Sequence, residues 1–402
     1  MPPETTTNRT PVGLHPTTRL PVLPDVRPRV VRVEIITDVP KTKSSRNRAR
    51  RGRRAVLGGI LLFFATQAGL NLAIRNDWIP IRDPIYFEKF EVFQKRTTFF
   101  APRPPSAPPR VMALGSSRTQ LAFNPRVVEG ICHRDGSPVD AFNFGCPAAG
   151  PMTCALYLRR MLEAGAKPDY VLVEIHPGFL TPLDPPYESR WLHGYRINPE
   201  ELEMLHGFGW NAPTPSHHGW KGWMASSRAF RYALLNRYAP AMLPCPYGLT
   251  IGAKVAPDGY VRGMEVKATD KPRALERTHA EYAPTFPDYR TGGPGVEALR
   301  DILTRCRDNG IRAAVVLMPE SSEYRSWYGP DGLQRVSELA ATLSREFGVP
   351  AVDAREWVPD NGFADGHHLT ARGAWIYTQR LTTEFVRTWV TDAAFREGQP
   401  PR

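Results

Sequence analysis

Ser116 and Ser117 follow a short apolar run, Val111–Gly115, and far downstream Asp365 and His368 stand three residues apart in FADGHHLTARG. A hydroxyl attacks a carbonyl only when a base takes its proton, and an imidazole serves as that base when a carboxylate holds it in one tautomer. Serine, aspartate and histidine in these places therefore admit acyl transfer. Each segment also has a plainer reading. A serine after a strand commonly caps the next helix, and Asp365 can cap the last helix while His367 and His368 face water.

The surrounding elements must bring these residues together. Val111–Gly115, Tyr170–Ile175, Ile311–Met318 and Val349–Val352 are short apolar runs, whereas Met152–Gly165, Gly295–Asn309, Asp331–Phe347 and Ala371–Val390 carry helical spacing. Strands alternating with helices of this length form a mostly parallel sheet covered on both faces, so the expected fold is a three-layer αβα sandwich with a flavodoxin-like sheet. Ligands of such sheets sit beyond the carboxyl ends of the strands, where Gly115 lets the chain turn sharply and expose the next side chain. The stretch 181–293 breaks the rhythm with Trp191, His193, Tyr195, Trp210, His217, His218, Trp220 and Trp223. It reads either as a substrate-binding lobe or as aromatics packing a small subdomain. Its histidines lack a carboxylate at ligand spacing, so no metal site is expected.

The two chemical segments together resemble the SGNH (GDSL-type) hydrolase superfamily. The family's nucleophile lies in a Gly-x-Ser block after the first strand, matched here by Gly115-Ser116-Ser117, so Ser117 rather than Ser116 corresponds. Its terminal Asp-x-x-His block is matched by Asp365-Gly366-His367-His368, followed by Leu369. The resemblance implies that Ser117 attacks an ester, His368 acts as base and then acid, and Asp365 orients His368, with no metal or organic cofactor. It also implies backbone donors to the oxyanion: the N–H of Ser117 and a glycine in Ala141–Pro151, where Gly150 is favoured and Asn143 is a further candidate. The third block, Gly-x-Asn, falls on His176-Pro177-Gly178, so its asparagine is missing and His176 or Arg118 is left to complete the oxyanion hole. This departure looks similar to a membrane-linked branch that includes cell-surface polysaccharide O-acetyltransferases and D-alanyl-transfer proteins. The resemblance covers about residues 109–180 and 293–391, less than half of the chain.

Composition bounds the partners. The chain has 402 residues and a net charge of +12, but residues 1–54 hold 13 basic and 4 acidic side chains and account for most of it. The remainder is too nearly neutral for a phosphate-binding surface, which excludes nucleic acid. Residues 1–54 read as a disordered, proline-rich, basic cytoplasmic tail. Ala55–Ile74 carries no charge, and twenty helical residues span about 30 Å, the hydrocarbon thickness of a bilayer. The eight cations of 41–54 put the N-terminus in the cytoplasm and the C-terminal domain outside. The rival reading is a twin-arginine export signal at Arg53-Arg54, against which the length of the apolar run and the lack of a clear cleavage site argue. Residues 75–108 read as a linker, 109–391 as the α/β domain with its insertion at about 181–293, and 392–402 as a C-terminal tail.

Three smaller expectations complete the reading. Glu174 reads as a strand-end carboxylate paired with Arg118 or as a buried acid near the site, Glu320 as a loop carboxylate facing water or lining the pocket, and Cys146 and Cys154 are close enough in sequence to pair in an oxidising compartment. The expected function is a membrane-anchored esterase or O-acyltransferase acting on ester groups, O-acetyl groups foremost, of a cell-envelope glycan. Its partners are that substrate, the bilayer through residues 55–74 and, for a transferase, a membrane-bound acyl donor protein. The alternative is a catalytically inactive SGNH-like protein that binds polysaccharide or assembles the envelope.

Overall fold

The structure is a computed structural model that describes residues 43–104, 106–211, 226–243, 255–263 and 265–392. By their contacts, residues from Ile60 onward form one compact unit; of the other, only residues 43–59 are described. Most of the expected tail, 1–42 and 393–402, lies outside the described residues, as do His217, His218, Trp220 and Trp223.

Five parallel strands form one sheet: β1 Arg110–Gly115, β2 Asp140–Gly145, β3 Tyr170–Ile175, β4 Arg312–Leu317 and β5 Ala351–Asp353. Their order, β2-β1-β3-β4-β5, is the flavodoxin-like one. Successive side chains on a strand point to opposite faces, and here both faces are apolar. Met112, Leu114, Val171, Val173 and Val315 join one core, whereas Val111, Ala113, Leu172, Ala314 and Val316 join the other. A sheet that must be covered twice gives the expected three-layer αβα sandwich.

The helices are α1 Lys43–Arg75, α2 Pro84–Gln94, α3 Ser117–Ala122, α4 Pro125–Arg134, α5 Pro151–Glu163 and α6 Pro199–Gly207. They continue with α7 Ser226–Ala229, α8 Arg231–Tyr238, α9 Lys271–Tyr282, α10 Pro294–Asp308, α11 Ser322–Ser326, α12 Gly329–Phe347, α13 Ala371–Leu381 and α14 Arg387–Thr391. In α10 the buried Val296, Leu299, Ile302, Leu303 and Cys306 recur every three or four residues, the single apolar stripe of a helix laid on a sheet. α12 does the same through Val336, Leu339, Ala340 and Leu343, and stops at Gly348 in the left-handed region.

Four expectations are corrected. β2 is a strand that was not among the apolar runs counted in the sequence; this edge strand buries Phe142 and Phe144 on one face and Ala141 on the other. Residues 75–108 are not a linker, because α2 buries Tyr86, Phe90 and Phe93 in the larger core, where Phe99 joins them. The apolar helix starts at Lys43, inside the expected tail. The last helix is divided by a π-helical turn, Thr382–Val386, between α13 and α14. Among the described residues one helical stretch, Asn47–Arg75, is long and apolar enough to cross a membrane.

Several of the insertion's described aromatics pack into the core rather than line an open lobe, whereas Tyr238 stays exposed. Tyr187, Trp210, Tyr282 and Phe286 are buried in the larger core, and Trp191 sits edge-on to Phe179 and Tyr187. Arg196 and Glu201 of the insertion are also buried, joined with Asp83, Arg82 and Arg160 in one ionic network that ties it to α5.

Candidate active site

β1 ends at Gly115 and the chain turns directly into α3. A Cβ at Gly115 would lie 2.2 Å from Thr119 Oγ1 and 2.3 Å from Glu174 Oε2, so only glycine allows this turn. Ser116 is the N-cap, its hydroxyl accepting from the Arg118 N–H at 3.1 Å. The capping role therefore falls to Ser116 and leaves Ser117, the first residue of α3, to a different partner. Ser117 Oγ lies 2.8 Å from His368 Nε2, across 251 residues of sequence.

The loop before α13 supplies the rest. His368 Nδ1 is 2.8 Å from Asp365 Oδ2, and the His368 backbone N–H donates to Asp365 Oδ1 at 2.9 Å. A carboxylate at Nδ1 fixes the proton there and turns the lone pair of Nε2 toward Ser117. Burial pushes the Asp365 carboxyl up, but the imidazoles of His367 and His368 and the hydrogen bonds from His368 outweigh it and hold it well below the usual carboxylate range. Asp365 is thus ionised wherever His368 works.

His367 is buried with its ring 3.9 Å from that of His368, centroid to centroid. Burial and the neighbouring His368 keep it neutral against the attraction of Asp365. Ligand atoms of Asp365, His367 and His368 come within 4.8 Å of one another, and both ring nitrogens of His368 are engaged, Nε2 by Ser117 and Nδ1 by Asp365.

Glu174, at the end of β3, holds the start of α3. Its carboxylate accepts from the Ser116 N–H at 2.7 Å, the Ser116 hydroxyl at 2.8 Å, the Thr119 N–H at 3.3 Å and the Thr119 hydroxyl at 2.6 Å. Among the described residues no acceptor meets the N–H of Ser117, which fits the oxyanion-donor role that the resemblance gives it.

A second helix start is built alike. Gly150 is the N-cap of α5, and Glu188 accepts there from the Met152 N–H at 3.0 Å, the Thr153 N–H at 2.7 Å and the Thr153 hydroxyl at 2.5 Å. A Cβ at Gly150 would stand 2.4 Å from Glu188 Oε2. Burial raises the Glu188 carboxyl to about 7 despite the hydrogen bonds from Thr153 and Met152.

Other expected site residues are placed differently. Asn143 is fully buried, donating to the carbonyls of Thr119, Gln120 and Phe123 and accepting from the Gly145 N–H. Its amide closes the carboxyl end of α3 and has no capacity left for an oxyanion. Arg118 does not pair with Glu174. It bonds Glu320 at 3.1 Å and the carbonyls of Met318 and Pro319, with its guanidinium over the Tyr324 ring. Glu320 is correspondingly buried rather than facing water. His176 accepts from the Gly178 N–H through Nδ1 and meets Tyr282 Oη at 3.3 Å through Nε2, so both ring nitrogens are used. Burial, with Arg118 and the two other imidazoles, keeps it neutral. Cys146 and Cys154 are free, buried thiols, and burial pushes that of Cys146 up to about 12.

Sequence reasoning missed Glu188 and the holding role of Glu174. The signal for Glu174 was present, since a carboxylate inside the buried run YVLVEI must have partners. Nothing in the spacing of Glu188 announces its partner on α5.

No family model and no curated protein matches the chain. Solved structures do. A putative acylhydrolase from Bacteroides fragilis is 11% identical at a TM-score of 0.33, covering 74% of this chain and 94% of that one. A carbohydrate acetylesterase family member from Sinorhizobium meliloti is 12% identical at a TM-score of 0.33, covering 70% of this chain and 99% of that one. An aryl esterase from M. smegmatis is 13% identical at a TM-score of 0.30, covering 69% and 97%. Likeness at this level carries no functional argument, which rests on the geometry of Ser117, His368 and Asp365.

Proposed function

We propose that this chain is a membrane-anchored serine esterase or O-acyltransferase of SGNH type, acting on ester groups of a cell-envelope glycan. The observation that carries the reading is the relay of two 2.8 Å contacts, Ser117 Oγ to His368 Nε2 and His368 Nδ1 to Asp365 Oδ2.

In the proposed reaction Ser117 Oγ attacks the ester carbonyl carbon while its proton passes to His368 Nε2, and Asp365 stabilises the imidazolium without taking the proton. The carbonyl oxygen becomes an oxyanion facing the N–H groups of Ser117 and Gly150; losing one such donor typically costs about 2.7–4 kcal/mol. Collapse breaks the ester C–O bond, and the leaving alkoxide receives the proton from His368. Water or a sugar hydroxyl then gives its proton to His368 and attacks the acyl carbon; the acyl–Oγ bond breaks and His368 returns the proton to Ser117 Oγ. Water makes the protein an esterase and a sugar hydroxyl makes it a transferase fed by a membrane-bound donor. The apolar helix supports the anchor, and the cations before it support a cytoplasmic N-terminus with the α/β domain outside.

The test uses the full chain in detergent micelles, with p-nitrophenyl acetate as substrate and a fluorophosphonate as a serine-directed label. Ser117→Ala is expected to lower kcat on the order of 10⁴- to 10⁶-fold and to abolish labelling. A transferase that hydrolyses poorly without its acceptor still labels at Ser117. Absence of both labelling and turnover in the unmodified chain would overturn the reading and favour a non-catalytic binding role.

A further inference from the structure

The described large apolar side chains that remain exposed are concentrated. Val56, Leu57, Ile60, Leu61, Leu62, Phe63 and Leu72 lie on the apolar helix, Trp78 follows it, Tyr238 ends α8 and Met242 lies just beyond it; Trp375 on α13 stands apart. Trp78, Tyr238 and Met242 are 65–70% exposed, and Tyr238 shares a cleft with Pro80 and Ile81, two and three residues after Trp78.

These places are joined to the helix by specific contacts. Gln67 and Asn71, one helical turn apart, are the polar residues of an otherwise apolar stretch. Asn71 Nδ2 donates to Ser226 Oγ at 2.9 Å, and Gln67 Oε1 accepts from the Ser227 N–H at 3.0 Å. Ile74, Ile81 and Phe230 form a buried cluster below, with Leu70, Ile79, Ala233 and Leu234 packed against it. The amide side chains of the apolar helix thus hold α7 and α8 beside its last two turns, a length of about 10 Å at 1.5 Å per residue.

The segment so held has the charge of a membrane-facing surface. Residues 226–243 contain Arg228, Arg231 and Arg237, all exposed, and no acidic residue. Arg231 lies 4.1 Å over the Tyr232 ring, and Arg237 pairs with Glu91 of α2. Arginines with tyrosine, tryptophan and methionine at the level where an apolar helix ends match the chemistry of the headgroup boundary, where aromatic rings anchor and long cations reach phosphates.

We propose that residues 226–243 together with Trp78 form a second membrane contact, a platform lying in the headgroup region of an anionic bilayer beside the point where the anchor emerges. Arg228 and Arg231 meet lipid phosphates, and Tyr238, Met242 and Trp78 enter the acyl boundary. The platform would fix how the α/β domain stands on the membrane, and with it the direction from which Ser117 is reached. This rests on the reading that residues 55–74 span the bilayer.

The experiment reconstitutes the full chain, carrying Cys245→Ser, in vesicles of phosphatidylcholine and phosphatidylglycerol. An environment-sensitive fluorophore is placed in separate variants at Met242→Cys, Tyr238→Cys, Leu72→Cys and Trp375→Cys. The other four cysteines are buried. Quenching is read with lipids that carry a nitroxide near the top of the acyl chain, and with aqueous iodide. The expected result is a loss of emission to the nitroxide at Met242 and Tyr238 as large as at Leu72, with Trp375 quenched by iodide alone. Nitroxide quenching at Leu72 with only iodide quenching at Met242 and Tyr238 would overturn the platform and leave the anchor standing. Iodide quenching at Leu72 as well would overturn the anchor and the platform with it, whereas equal nitroxide quenching at Trp375 would overturn the claim that this one surface is the contact.

Discussion

The starts of α3 and α5 are the same device built twice, and they differ in where the clamping glutamate comes from and in what else it reaches. In each, a glycine precedes the helix, a buried glutamate accepts from two backbone N–H groups and a threonine hydroxyl, and a Cβ on the glycine would strike that glutamate's Oε2. Glu174 comes from β3, inside the sheet, and also accepts from the hydroxyl of Ser116, the residue before Ser117. Glu188 comes from the insertion and touches none of Ser117, His368 and Asp365. A carboxylate that takes the other donors at the start of α3 leaves the Ser117 N–H without an acceptor among the described residues, as the proposed oxyanion role requires. At α5 the same arrangement fastens the insertion to the sandwich and fixes the turn that carries Gly150.

The largest test of that contrast is Glu174→Ala against Glu188→Ala. Each leaves buried donors without an acceptor, at about 1–3 kcal/mol for an unpaired buried group, so both are expected to lower stability by about 3–5 kcal/mol in denaturant unfolding. Glu174→Ala is expected to lower kcat more, on the order of 10²-fold, because it frees the turn that aims Ser117 at His368, whereas Glu188→Ala reaches the proposed site only through the Gly150 N–H. Glu174→Gln, which keeps an acceptor oxygen, should restore part of kcat. Equal loss of kcat in both alanine variants would break the distinction.

Next in size is a difference in pH response. The folded Glu188 carboxyl, at about 7, stands above the roughly 4.3 of an unfolded glutamate. A raised carboxyl gives stability that is fully present below the unfolded value and is lost as pH rises through the folded value. Stability should therefore fall between about pH 4.5 and 7.5, by an amount on the order of 3 kcal/mol at about 1.4 kcal/mol per unit. Glu188→Gln should flatten this slope in unfolding measured across that range. Asp365 acts with the opposite sign: its carboxyl is held below the usual range, so its contribution is present at neutral pH and lost only as strong acid protonates it.

The sequence made the relay legible because its two blocks are local: a glycine and serine after an apolar run, and Asp365 three residues before His368. Four of the sheet's five strands, and the helices α5, α10, α12 and α13, were legible from the same apolar periodicity that the two cores now use. What was not legible depends on which strands are neighbours. Arg118 and Glu320 are 202 residues apart and meet because Arg118 reaches over β3 to the end of β4; without the strand order, Glu174 was the nearer guess. Asn143 was read as a donor to substrate, but a buried amide on the edge strand β2 is first consumed by the carbonyls that end α3. α2 went unread because its aromatics, Tyr86, Phe90 and Phe93, are covered by the sheet's own helices and strand residues rather than by a partner near them in sequence.

The smallest expected effect tests the two glycines as parts of their clamps. At Gly150 a new Cβ would stand 2.4 Å from Glu188 Oε2 and 2.9 Å from Phe179 Cγ, both side-chain atoms that can shift, so Gly150→Ala is expected to cost about 1–3 kcal/mol. At Gly115 the Cβ would also meet the Cβ of Glu174 at 2.7 Å, close to a backbone held in the sheet, and the displacement passes to the turn that carries Ser117. Gly115→Ala should therefore lose kcat together with stability, whereas Gly150→Ala should lose stability with a smaller change in kcat. If the clash with Glu188 is the cause at Gly150, adding Glu188→Ala removes the atom in the way, and the two changes together cost less than their sum. A coupling of about 0.5–3 kcal/mol in that double-mutant cycle marks Gly150 and Glu188 as one device. Strict additivity would mean that Phe179 alone sets the need for glycine there, and the likeness between the two helix starts would end at their hydrogen bonds.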